Sequence, residues 1–118
     1  MATPNELPPG VDLLSAVINL AATGVVVPAI GGKRIALYAF EMLTQGVTTV
    51  RWSSVANTVA ATSTALSGAL ALTTGQSWQR DLTAAPRVPH FVTDKGCNLT
   101  LTLGSSVQVD GVVWYYYL

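Results

Sequence analysis

The sequence predicts an all-β protein, with roughly seven or eight short antiparallel strands closed into a sandwich or barrel, and three observations carry that expectation. Leu99, Leu101 and Leu103 alternate with Thr100 and Thr102, the period of two that puts every second side chain on one face of a sheet. Turn residues recur at intervals of about ten positions, each followed by a short β-branched or aromatic run. Half of the chain is hydrophobic and only 10% is charged, where an ordinary domain carries about a quarter. At 118 residues the chain suits one domain with a real core.

Residues 1–13 read as an extended N-terminal arm ahead of a single domain over 14–118. Pro4, Pro8, Pro9 and Gly10 resist both helix and central strand, because proline lacks an N–H donor and fixes φ. Ser15 to Ala21 suits a strand or a turn or two of helix, and Ala22-Thr-Gly24 reads as a turn into Val25-Val-Val27. Lys33 to Leu43 reads as a strand covered on both sides, with Ile35, Leu37 and Ala39 on one face and Ala36, Tyr38, Phe40 and Met42 on the other. Gln45-Gly46 then reads as the turn of a hairpin into Val47 to Ser53, with Glu41 and Arg51 as a cross-strand ion pair.

Ser54 to Ser67 reads as a loop with a short strand. Its alanines suit a helix, but Thr58, Val59, Thr62 and Thr64 lose rotamer freedom in one. Ala69 to Leu72 is a short strand, Thr74-Gly75 a turn, and Arg80 to Arg87 an irregular segment. Pro89 to Thr93 leads through Asp94-Lys-Gly96 to a final hairpin of Asn98–Leu103 and Val107–Leu118. Three consecutive tyrosines, Tyr115 to Tyr117, cannot all face one core, because neighbours on a strand point to opposite sides.

The chemistry of catalysis is sparse. His90 is the only histidine, so a serine- or cysteine-based triad has a single candidate base, flanked by Pro89 and Phe91. No phosphate-binding glycine loop and no metal-ligand spacing is visible, so the expectation is a non-enzyme without cofactor or metal. Cys97 alone excludes an intrachain disulfide and reads as a small buried side chain. Asn98-Leu-Thr100 matches a glycosylation sequon but falls on a strand.

The formal net charge is zero and no basic stripe is present, which argues against nucleic acid as a partner. The uncharged run from Leu13 to Gly32 is broken by Ser15, Asn19, Thr23, Gly24 and Pro28, which argues against a membrane span. The N-terminus lacks the basic region and apolar core of a secretory signal. A surface this poor in charge suggests burial in an assembly. Aromatic anchors fit that reading: Tyr38, Phe40, Trp114 and Tyr116 are the candidate subunit-interface residues, and Trp78 a candidate exposed aromatic contact.

Several of these segments, taken in order, resemble one family. Gly32-Lys-Arg-Ile35, Val47-Thr-Thr-Val-Arg51, Leu66-Ser-Gly68 with Leu70-Ala-Leu72 and Gly75, Thr93-Asp-Lys-Gly96, Asn98 to Leu103 and Val107-Gln-Val-Asp-Gly111 are similar to small structural proteins of tailed bacteriophages. The family's Pro-Gly-Trp-Phe segment is here Pro89-His-Phe-Val92, and its Gly-Gly is Asp110-Gly111.

The resemblance implies an antiparallel β-sandwich of jelly-roll type and a capsid decoration, or cement, protein. Such a protein is a homotrimer that binds the major capsid protein on the outside of the assembled head and stabilises the shell. Its place is the virion surface, after synthesis in the host bacterial cytoplasm. Pro4, Glu6, Leu7, Pro8 and Pro9 of the arm are then the expected capsid contacts. The alternatives are a head-fibre or tail structural module, or a glycan-binding host-recognition domain that uses Trp78 or the terminal tyrosines.

Overall fold

The computed structural model describes residues 12–57, 62–80 and 89–118. Among these the regular structure is all strand: β1 (Leu14–Leu20), β2 (Gly24–Val27), β3 (Ile35–Thr44), β4 (Thr48–Ala56), β5 (Ser63–Ala65), β6 (Leu70–Leu72), β7 (Ser77–Arg80), β8 (Phe91–Val92), β9 (Cys97–Leu103) and β10 (Val109–Tyr117). They form two antiparallel sheets packed as a sandwich. The first runs β1-β10-β3-β7, with β8 also on β3; the second runs β2-β9-β4-β5, with β6 also on β4.

Ten strands replace the expected seven or eight because two positions are broken. β6 pairs with Thr48–Val50 and β5 with Ser53–Val55, end to end along one edge of β4. β7 and β8 divide one edge of β3 in the same way. Counted by position there are eight strands, and the chain passes between the sheets in the order of two interlocked Greek keys, the jelly-roll arrangement.

That order overturns both expected hairpins. β3 is flanked by β10 on one side and β7 and β8 on the other, so it has no edge left for β4. The turn at Gln45-Gly46 is instead an arch from the first sheet to the second. Gly46 serves it because a Cβ there would meet the Val107 side chain at 2.8 Å. Glu41 and Arg51 therefore lie in different sheets, and the expected ion pair between them does not form. β9 and β10 likewise belong to opposite layers. Both are central strands, which is why the last strand is apolar on both faces.

The core between the layers is built from alternate residues. Ile18, Val109 and Val113 come from the first sheet; Val50, Trp52, Leu99 and Leu101 come from the second. On β3 the alternation breaks. Ala39 pairs with Trp114 and Leu37 with Tyr115, so β3 carries one extra residue, Tyr38, against a continuous β10. This β-bulge shifts the parity. Ile35 and Leu37 point inward before it, Phe40 and Met42 after it, while Ala36 and Tyr38 join Tyr116 in a separate cluster on the outer face. The expected grouping of Phe40 and Met42 with Ala36 and Tyr38 is corrected accordingly.

Candidate interaction surface

The outer face of the first sheet follows from the register. Ser15, Val17 and Asn19 of β1, Asp110, Val112, Trp114 and Tyr116 of β10, and Glu41 and Leu43 of β3 all turn away from the core. Val17 stands beside Val112 and Ser15 beside Trp114 across the β1–β10 pair. Val17 is 74% exposed and Leu43 is exposed too, while Val112 and Trp114 are half-buried. The result is an apolar ridge of Val17, Val112 and Trp114 on β1 and β10; on β3, Glu41 stands opposite Val112 and Leu43 opposite Asp110.

Asp110 is held in place. Its carboxylate oxygens accept hydrogen bonds from Gln45 Nε2 at 2.5 Å and Gln108 Nε2 at 2.7 Å, and Gln108 Nε2 also donates to Asn19 Oδ1 at 2.7 Å. This polar rim borders the ridge on one side. A shallow depression of about 290 Å³, lined by Glu41, Leu43, Ser77, Gln79 and Asp110, lies next to it.

The aromatic candidates divide. Trp114 sits on the ridge and is half-buried. Tyr38 and Tyr116 also belong to the outer face, but they are only 4% and 1% exposed, with ring centroids 6.1 Å apart edge to face and Val92 packed against them. Burial pushes the Tyr116 phenol above its ordinary pKa, and the neighbouring Tyr38 adds to this. Phe40 lies in the core, edge-on to Trp52 at 5.4 Å, and has no surface to offer a second subunit. Trp78 is half-buried, 4.9 Å edge-on from Phe40. Pro4, Glu6, Leu7, Pro8 and Pro9 lie outside the described residues.

The opposite outer face is of different character. Thr49, Arg51 and Ser53 of β4 and Thr100 and Thr102 of β9 cover it, with a Ser53–Thr102 hydroxyl contact of 3.2 Å. The Thr100 hydroxyl and Arg51 Nε are buried there without a hydrogen-bond partner among the described residues, and the face offers little apolar area. Asn98 is buried, and its Oδ1 accepts the Ala29 N–H at 2.7 Å, so the sequon asparagine anchors the loop before β3. Cys97 is half-buried and free. Among the described residues no group of three or more His, Cys, Asp or Glu side chains is placed to hold a metal. Nor does any helix there reach the length and apolarity needed to cross a membrane.

Sequence reasoning missed Val17, Val112 and Leu43. The signal was present: once Ser15–Ala21 is read as a strand with Ala16, Ile18 and Leu20 inward, Val17 is the one apolar residue left outward between Ser15 and Asn19. No family model matches this chain, and no curated protein or solved structure matches it.

Proposed function

We propose that this protein is a decoration protein of a tailed-bacteriophage head, a homotrimer that binds the outside of the assembled shell and holds neighbouring major capsid protein subunits together. The observation that carries the reading is the apolar ridge of Val17, Val112 and Trp114 on a chain with only six acidic and six basic residues. A ridge of that kind on a charge-poor surface calls for a protein partner. The jelly-roll order of the strands and the sequence resemblance supply the class of partner.

In this account the ridge closes the trimer, with Trp114 as its anchor and Tyr38 and Tyr116 as buried neighbours on the same outer face. The arm, including Pro4, Glu6, Leu7, Pro8 and Pro9, contacts the shell. Stabilisation follows from mass action: a ligand that binds the assembled shell and not its free subunits raises shell stability with occupancy. Location on the virion surface follows, and neither nucleic acid, membrane nor cofactor enters the account.

Co-sedimentation of the purified protein with expanded empty heads of the encoding phage tests this. Saturable binding, with heads that survive heat or low salt longer when occupied, is expected. Protein that stays in the supernatant at saturating concentration contradicts it.

A further inference from the structure

The broken strands leave a feature that the assembly reading does not use. At the edge of the sandwich formed by β5 and β6 in one layer and β7 and β8 in the other, a solvent-open cleft of about 360 Å³ separates the two sheets. Ser67, Gly68, Ala69 and Leu70 form one wall; Trp78, Arg80 and Phe91 form the other. That volume is at the lower end of the ~300–1,000 Å³ typical of small-ligand sites.

The walls combine two kinds of chemistry. Trp78 is held edge-on by Phe40, which is held in turn by Trp52, so the core fixes the indole before any ligand arrives. Phe91 and Leu70 add apolar surface beside it. Arg80 is exposed, and among the described residues its side chain makes no hydrogen bond or ion pair. No carboxylate is among the described lining residues. Over Gly68 the space is empty, since a Cβ there meets nothing within 4 Å.

We propose that this cleft binds a carboxylate-bearing sugar, such as a uronic acid unit of an acidic polysaccharide. The C–H face of a pyranose packs against a preset aromatic ring, and the planar guanidinium fork of Arg80 takes the carboxylate through two parallel hydrogen bonds. A purely apolar ligand would cover Arg80 without pairing it, and an inorganic anion would leave both rings unused. The site stands on its own residues and does not rest on the capsid reading.

The test titrates the full-length protein with trigalacturonate and with the uncharged galactose trisaccharide, followed by calorimetry and ligand-observed NMR. Saturable binding of the acidic sugar is expected, with the neutral sugar at least about tenfold weaker, as the loss of a paired charge implies. Arg80→Gln should lose a similar factor. Gly68→Leu, whose Cβ enters open space at the cleft wall, should abolish binding while the thermal melt is unchanged. Trp78→Ala also removes core packing, so the first two variants carry the test. Equal affinity for the acidic and neutral sugars, undiminished binding by Gly68→Leu, or no binding of trigalacturonate at about 10 mM would overturn the proposal.

Discussion

Gly111 shows how much a single residue can decide in this fold. It lies in β10 opposite Met42, and a Cβ there would run into the Glu41 carbonyl oxygen and lie 2.8 Å from the Met42 Cα. The obstacle is backbone of a paired central strand, which cannot rotate aside. Gly111→Ala should therefore cost about 3 kcal/mol in urea unfolding, the scale of a forced overpacking, while Gly68→Ala should stay within about 0.5 kcal/mol. Equal stability of the two variants would contradict the close approach. Sequence alone marked Asp110-Gly111 as part of a motif but gave no reason for it, since the reason is a neighbouring strand far away in the chain. The glycines at turns were more legible: Gly75 and Gly96, both read as turn residues, adopt positive φ, where a side chain is strained, and Gly32, read only as the start of a strand motif, does the same. Much of the family resemblance rests on such positions, so it reports fold more directly than site.

Tyr116 gives a second prediction at this scale. Its native pKa lies above the ordinary 10.0, chiefly through burial and then through Tyr38, so folding favours the neutral phenol. The corresponding stability is fully present below pH 10.0 and is lost as the pH rises through the raised native value. Tyr117 is raised for the same first reason. Between about pH 8 and about pH 11, the wild type should lose more of its urea midpoint than Tyr116→Phe, which has no phenol to ionise at that position. An equal loss in both would remove Tyr116 from the pH dependence.

At the scale of elements, the bulge at Tyr38 is the feature that reorganises β3. Counting alternate residues from Ile35 gives the right inward set only as far as Leu37; the extra residue then moves Phe40 and Met42 to the core side. Bulge placement depends on the partner strand and the edges it must serve, and no local pattern in Ile35 to Thr44 announces it. Strand existence was more legible, because β-branched and aromatic runs bounded by glycine mark β2, β3, β4, β6, β9 and β10 directly. β7 was missed, since Ser77-Trp-Gln-Arg80 is short and polar at an edge, and its pairing with β3 is what orders it. The assignment of Phe40 to the core can be checked by truncation. Phe40→Ala should cost about 3–5 kcal/mol, whereas Trp114→Ala should cost much less in the isolated chain and act on self-association instead. A small loss for Phe40→Ala in denaturant unfolding would mean that the parity change is wrong.

For the whole molecule, strand content was readable and sheet membership was not. The turn signals at Gln45-Gly46 and at Gly104 fit a hairpin and an arch between layers equally well, and only competition for edges decides between them. The four central strands β10, β3, β9 and β4 each have both edges taken, so consecutive strands in the chain must cross the sandwich. One consequence is functional. The terminal strand β10, which as half of a hairpin would lie beside β9, becomes the middle of the opposite sheet and carries Val112 and Trp114 onto its outer face beside Val17. The sequence supplied the aromatic anchors and the scarcity of charge, and the fold selected which of them remain available: Trp114 stays on the surface, while Phe40 does not.

Light scattering of the purified protein across a wide concentration range, for the wild type and for Val17→Asp, tests the central claim most directly. A wild-type mass three times the 12.3 kDa of the chain, falling to the monomer when a carboxylate is placed on the ridge, is the predicted result. A wild-type mass of 12.3 kDa at every concentration, or a trimer that Val17→Asp leaves intact, would contradict the ridge as the subunit interface.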